Sequence, residues 1–596
     1  MIARNNIECI TSDCALEDID VNFKIIAGPG GGKTYWLVRH IRNVLKNSTK
    51  ILSASKIACI TYTNVAVDEI WERLEIMENK VEVSTIHSFL YKNIVKPYIY
   101  LLKDSTGKSL VNYKEMDGHD DHIPSSGKIN IWKKENNLYG IITDDKKLND
   151  CLKSLDWIFE EEEIVLTTKD VYKRKVGKYF IKEEYFPSYK QLYWNEGTIH
   201  HEDVLYFSYL LLENHPIILK FLRARYPYVF IDEFQDTNPI QTRIIKLLAD
   251  SGVVVGVIGD PAQSIYKFAG AERQDFLDFE LPKQKNYYMN SNRRSTNKII
   301  DFLNYLRGED QFHQNYHRNV IGNDICLIIG KTPLEIINKF KLKRQLLELN
   351  DRCCFLTRKN EQVTKLKACI NNYNYNYEIW EELYFLDYKR YEFLNYIFVA
   401  QGYAIDTRYE MAVKEVLKIF KTNQEGYLKE PFKNSKINNK LFKRSYALEL
   451  LEFLINNYEM HLDKNLYQFY NEELYNFFIK FDFHLKRLTG KGKFKVKSEK
   501  VTVKELVNSL NIREVRNDNI RTIHKAKGTE FESVLVYFDD INEIDAIINP
   551  DIDSEEDDYR LYYVAFSRAE DFLCIATKSI DDEQEKKLRQ LNIRIL

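Results

Sequence analysis

Two short segments hold residues able to do phosphate chemistry. In Ala27-Gly28-Pro29-Gly30-Gly31-Gly32-Lys33-Thr34, four glycines precede a lysine and a threonine. Glycines at that spacing let backbone N–H groups turn toward phosphate oxygens, and a helix starting there adds its positive end. Lys33 then reaches the β- and γ-phosphates, and Thr34 offers its hydroxyl to Mg²⁺. Alanine stands at position 27, where the strict P-loop pattern has its first glycine. The second segment follows 199 residues later (232 − 33): Phe230-Ile231-Asp232-Glu233 ends an apolar run with two carboxylates. Asp232 can hold Mg²⁺ through water, and Glu233 can orient or deprotonate the attacking water. Alone, the first segment also reads as a glycine-rich turn and the second as a solvated strand end. Together they predict ATP hydrolysis.

Strand-like runs must position these groups. Val21-Asn22-Phe23-Lys24-Ile25-Ile26 leads into the glycines, and Ile57-Ala58-Cys59-Ile60-Thr61 leads into an amphipathic helix through Val67, Ile70, Trp71 and Leu74. Further runs lie at Tyr228–Ile231, Val253–Ile258, Ile520–Ile523 and Val534–Tyr537. Apolar strands alternating with helices predict parallel α/β layers. Residues 102–200 and about 365–515 lose that rhythm, so the expected architecture is two α/β domains, each with a mainly helical insertion. Within the first insertion, His119-Asp120-Asp121-His122 could ligate a metal but reads better as a solvated loop. The acidic runs Glu160–Glu163 and Asp551–Asp558 read as solvated too. In the second insertion, Lys486–Lys497 is basic, and it reads either as holding a loop, Thr489–Lys493, that grips duplex phosphates or as a charged hairpin in solvent.

Composition narrows the class. Lys+Arg 86 against Asp+Glu 88 gives a net charge of −2, which excludes a partner held by bulk charge. No apolar run is long enough for a membrane helix, and the first residues lack a signal-peptide core. The nine cysteines include no Cys-x-x-Cys, so no zinc ribbon or disulfide framework is expected, and the chain reads as reduced, soluble and cytoplasmic.

The longer strings are more specific. Asp232-Glu233-Phe234-Gln235-Asp236-Thr237-Asn238 resembles the Walker B region of the UvrD/Rep/PcrA helicases of superfamily 1. Thr61–Asn64, Thr85–Phe89, Gly259–Ala271, Asn292–Thr296, Thr522–Phe531 and Tyr563–Ala569 follow that family's motif order. The resemblance implies two RecA-like domains, the first from 1–101 and 201–290 and the second from 291–365 and 516–596, with insertions at 102–200 and 366–515. It implies that Gln263 senses the γ-phosphate while Arg294 and Arg568 reach across a cleft to stabilise transferred charge. Glu530 would contact the ribose or metal-bound water. Single-stranded DNA would lie on Tyr62, Tyr266 and Phe268 (the last where relatives often carry tryptophan), with Thr63, Asn64, His87, Arg358 and His524 as further contacts. Stacking of that kind ignores sequence. Movement would be 3′→5′, driven by nucleotide-dependent closure of the cleft.

Departures from the family are informative. No Leu-Asn-x-x-Gln segment, which reads adenine in relatives, occurs in residues 1–24. Arg293 stands where relatives often stack a tyrosine on adenine, and Tyr35 where they have arginine, so the two residues are expected to have exchanged that role. Only 28 residues follow Arg568 (596 − 568), so any nuclease is expected to be a separate subunit. Compact relatives include helicase subunits of phage-defence systems such as Gabija, paired with an OLD-family nuclease; repair and defence are both compatible settings. The second hypothesis is an ATP-gated DNA-binding regulatory subunit of a nuclease complex, with little unwinding of its own.

Overall fold

In the computed structural model the strand-like runs form parallel sheets. The structure describes residues 7–596 apart from 75–78, 117, 121, 123, 161–162, 268–269, 309–311, 351, 372–377, 406–408, 423–426, 438–441, 491, 510–518 and 555. Contacts divide the chain into two units. The first holds residues up to Gly330 with Phe340–Cys353 and Ile523–Leu596, and the second holds Lys331–Lys339 and Cys354–Thr522.

The first unit is built on a seven-stranded sheet in the order Ile7–Cys9, Lys285–Met289, Phe23–Ala27, Val254–Gly259, Tyr228–Ile231, Ile57–Thr61, Val81–Thr85. Every neighbouring pair is parallel. Helices cover both faces of such a sheet, which is why its central strands are continuous apolar runs rather than alternating ones. Parallel strands end on one edge. Gly28, Thr63 and Asp232 therefore emerge side by side, at the edge where open α/β sheets form their clefts.

Packing under the sheet is tight. His40 stacks on Trp36 at 4.8 Å and meets Phe23 and Phe230 edge-on, and burial pulls its pKa down to about 3, so it is a neutral core residue. Gly256 leaves room for the Phe23 ring, since a Cβ there would lie 2.1 Å from Phe23 Cζ. Overpacking of a filled core costs about 1–3 kcal/mol. Gly256→Ala is therefore expected to lower the denaturation midpoint by that equivalent; an unchanged midpoint would show that Phe23 can move aside.

A second parallel sheet in this unit places Phe531–Tyr537, Ala569–Thr577, Cys326–Ile329 and Arg594–Ile595 in that order. Residues 102–200 carry helices at Ser126–Glu135, Asp145–Lys153 and Phe186–Trp194. They also carry antiparallel strand pairs, one of Leu155–Glu160 with Glu163–Thr168; Glu161 and Glu162 of the acidic run lie outside the described residues.

The His119–His122 segment is not the expected solvated loop. His119 Nδ1 lies 2.6 Å from His201 Nδ1, and His122 is buried with Nε2 3.2 Å from the Tyr189 hydroxyl. Asp121 lies outside the described residues. These partners stand 67 to 82 residues away, beyond the reach of local pattern. Nearby, His200, Glu202 and Asp203 bring ligand-type atoms together. The buried Lys190 ammonium sits among them, bridged to Glu202 and 3.2 Å from both Asp203 and His200, so lysine is the cation this cluster holds.

In the second unit the strand Cys353–Thr357, from Cys354 on, pairs in parallel with Ile520–Thr522, and the helices include Tyr388–Ile405, Tyr409–Ile419 and Lys443–Asn456 around an aromatic core. Its basic strip is not a hairpin. Residues Lys493–Ser498 form a short helix, Lys486 pairs with Glu430, Lys497 with Glu382, and Arg487 lies 3.8 Å over the Tyr475 ring. Lys491 lies outside the described residues. Among the described residues no helix is long and apolar enough to cross a membrane.

Candidate functional site

The glycine-rich turn leaves Phe23–Ala27 and enters the helix Lys33–Asn47. Gly30 and Gly32 adopt φ of 68° and 81°, a left-handed backbone that side chains resist. At Gly30 a Cβ would also collide with Asn292 Oδ1 at 2.4 Å. Ala27 is different. It is the buried last residue of the strand, so a methyl group fits there, and its carbonyl faces Lys33 Nζ at 3.5 Å. The resulting cleft, about 410 Å³, is lined by Gly28 through Tyr35 and by both carboxylates of the Asp-Glu pair.

Asp232 and Glu233 sit side by side at the end of Tyr228–Ile231. Asp232 Oδ1 accepts from the Glu233 N–H at 2.9 Å, and Gln235 Nε2 donates to Glu233 Oε2 at 2.6 Å. These bonds hold Glu233 at φ 54°, where a non-glycine residue is uncommon. Burial and the neighbouring Glu233 charge push the Asp232 carboxyl up. Burial would raise Glu233 too, but Lys33 (3.8 Å away) and Lys527 outweigh it and hold it down to about 2. One carboxylate is thus ionised and next to Lys33, and the other gains most from an arriving cation. Thr34 and Asp232 offer hydroxyl and carboxylate oxygens, the donor set a hard divalent ion takes, so the residues present fit Mg²⁺.

Residues far apart in the sequence complete the cleft. Arg568 is buried, with Nη2 donating to Gln263 Oε1 and to Ser567 Oγ, each at 2.9 Å. Burial, then the adjacent Arg294, lowers its pKa to about 9, a sign of positive charge in want of an anion. Arg294 pairs with Glu530 and donates to the Ser567 carbonyl at 2.8 Å; Arg294 in turn holds the Glu530 carboxyl below its usual range. Gln263 is fixed from its other side, since its Nε2 donates to Asp260 at 2.8 Å. Arg293 lines the same cleft, its N–H donating to the Gly30 carbonyl at 2.8 Å.

Aromatic rings border this chemistry. Tyr62 and Tyr266 are 4.9 Å apart, and His524 meets Tyr266 edge-on at 5.9 Å. Tyr62, Thr63 and Tyr266 also line the cleft. His87 is placed elsewhere in the unit, its ring 5.6 Å from His201 and 6.4 Å from His119, and burial followed by those two rings lowers its pKa to about 3. Asn64 begins the helix Asn64–Leu74. Phe268 lies outside the described residues, and Arg358 belongs to the second unit.

Comparison with known proteins bears on this arrangement. Residues 12–284 match the UvrD/REP helicase N-terminal domain and residues 470–579 the UvrD-like helicase C-terminal domain, together more than half of the chain. The chain belongs to the UvrD/Rep helicase family. Among its UvrD-type relatives, a probable DNA helicase II homolog from Mycoplasma capricolum is 30% identical over 52% of this chain and 42% of that protein. The corresponding homolog from Mycoplasma genitalium is 24% identical over 95% of this chain and 84% of that protein. The Gabija protein GajB from Bacillus cereus is 25% identical over 48% of this chain and 46% of that protein. The chain thus spans under half the length of the first and third.

Lys527 and Asp236 were not assigned roles in the sequence, although both lie inside UvrD-type strings. Lys527 Nζ sits 2.7 and 2.6 Å from the two Asp236 oxygens, donates to the Gln263 carbonyl at 2.7 Å and lies 5.0 Å over the Tyr266 ring. It joins the Gln263 side of the cleft to the aromatic border. A second missed bond is Arg307 to Asp260, buried at 3.1 Å, with Tyr563 as a further partner of Arg307. Forty-seven residues separate that pair and no motif marks it.

Proposed function

We propose that this protein is a DNA-dependent ATPase that moves along single-stranded DNA in the 3′→5′ direction and separates duplexes, serving DNA repair or phage defence. The reading rests on one arrangement: phosphate-binding loop, paired carboxylates, Gln263 and the two arginines line one cleft, and Lys527 ties that cleft to Tyr62 and Tyr266. Lys33 and the loop amides bind the phosphates, and Glu233 takes or orients a proton of the attacking water. Arg294 and Arg568 meet negative charge that develops on the transferred group. Thr34 and Asp232 would hold Mg²⁺, which neutralises phosphate charge when bound.

Base contact at Tyr266 moves Lys527, and through it the Gln263 carbonyl and Asp236, so strand occupancy reaches the nucleotide. The test is nucleotide turnover with and without single-stranded DNA. Tyr266→Ala is expected to raise the DNA concentration for half-maximal stimulation by about 5–150-fold, the value of one base stack of about 1–3 kcal/mol, while DNA-free turnover holds. Equal stimulation in both proteins would remove Tyr266 from the strand path. Likeness to GajB over 48% of the chain favours a second setting, a subunit that works beside a separate nuclease. Strand displacement by the protein alone, against the same assay with such a partner added, separates the two.

A further inference from the structure

Gln314 lies in none of the motif strings, yet its side chain is buried against two of them. Its Nε2 donates to the Pro29 carbonyl of the phosphate loop at 2.8 Å. Its Oε1 faces Asn292, whose Nδ2 donates to it at 3.4 Å. Asn292 is fully buried too, and its Oδ1 accepts from the Arg294 and Ser295 N–H groups, each at 2.9 Å. Asn292 therefore fixes the turn from which the Arg294 side chain leaves toward Glu530 and the Ser567 carbonyl. One amide thus has its donor end on the loop that holds phosphate and its acceptor end on the turn that carries an arginine.

Gln314 is itself rigidly supported. Its N–H donates to Asn304 Oδ1 at 2.9 Å and its carbonyl accepts from Asn304 Nδ2 at 3.0 Å, on the helix Asn297–Arg307. The next two residues, Asn315 and Tyr316, pair in parallel with Ser291 and Asn292. The loop is shaped to admit the amide. A Cβ on Gly28 would lie 2.5 Å from Gln314 Nε2 and 2.7 Å from Phe312 Cε1, and Gly28 has no positive φ. Glycine at 28 serves that close approach, not an unusual backbone.

We infer that Gln314 is a positioning residue of the reaction: it sets the phosphate loop in register with Arg294, so that phosphoryl group and guanidinium meet in reacting geometry. This rests on the nucleotide-hydrolase reading above. Gln314 does not line the cleft, so it acts through its neighbours. Without it, Lys33 and the loop amides still bind phosphate and affinity changes little. Alignment does change, and a displacement of about 1 Å costs up to about 10²-fold in rate. Methionine at 314 fills similar space and makes neither hydrogen bond.

The experiment measures kcat and nucleotide affinity for ATP, with the full chain and saturating single-stranded DNA. It compares the wild type, Gln314→Met, Arg294→Ala and the double variant, with Lys33→Ala as blank. The expected result is a kcat about 10–100-fold lower in Gln314→Met, with affinity within about threefold of wild type. In the Arg294→Ala background the same substitution is expected to cost less than about twofold, because the residue it aligns is gone. Gln314→Ala, which removes the bonds without new bulk, replaces Gln314→Met if the latter loses the wild-type circular-dichroism spectrum. Loss of fold in both makes Gln314 a structural tie and overturns the inference. An unchanged kcat also overturns it, as does an equal fall in affinity, since Gln314 then only shapes the loop. An undiminished loss in the Arg294→Ala background overturns it too, since Gln314 then does not act through Arg294. Absence of turnover in the wild type, or full turnover in Lys33→Ala, instead removes the hydrolase reading itself.

Discussion

Arg568→Ala is expected to reduce nucleotide turnover by about 10³–10⁵-fold, the range an arginine aimed at a transferring phosphoryl group supplies. The geometry explains why the loss falls on rate rather than binding. Lys33 and the amides of residues 30–34 remain to hold phosphate, whereas Arg568 is hydrogen-bonded to Gln263 and close to Arg294. Arg294 already has Glu530 as its partner, whereas the buried Arg568 bonds only neutral groups, so its interaction is strongest when the phosphoryl group carries most charge. Steady-state turnover paired with nucleotide affinity checks this. Turnover within tenfold of wild type, with the protein folded by its melting curve, would show that the guanidinium does not face the reacting group.

Arg307→Ala is expected to destabilise the first unit by about 3–5 kcal/mol, the cost of leaving a buried charge without its partner. Asp260 is fully buried and Arg307 nearly so, and the guanidinium also packs over Phe312 at 4.5 Å and donates to the Tyr563 hydroxyl at 3.1 Å. Removing it strands the Asp260 carboxylate in a medium that cannot solvate it. Arg307→Met with Asp260→Asn removes both charges and is expected to recover much of the loss, because a buried ion pair often contributes little beyond its neutral replacement. Denaturant unfolding of the three proteins measures this. The single variant would also blunt catalysis, since Asp260 holds Gln263 in place. A cost under about 1 kcal/mol would mean that water reaches Asp260 when Arg307 is gone.

Some of this protein is determined by sequence alone, and the rest is not. The glycine run before Lys33, the carboxylate pair after an apolar strand and the order of the later strings are local patterns, so they were readable without coordinates of any kind. Parallel α/β architecture was readable for the same reason, because doubly covered strands must be continuous apolar runs. Local spacing says nothing, however, about which side chains meet across 47, 291 or 305 residues. Tertiary packing alone puts Lys527 between Asp236 and Tyr266, holds Glu233 in a left-handed backbone, and turns His119 and His122 from a presumed surface loop into buried contacts. It also pairs Asp13 with Arg39 and Arg293. Hydrogen bonds and ion pairs form wherever burial makes an unpaired polar group too costly, and burial is a property of the folded chain, not of any short stretch of it.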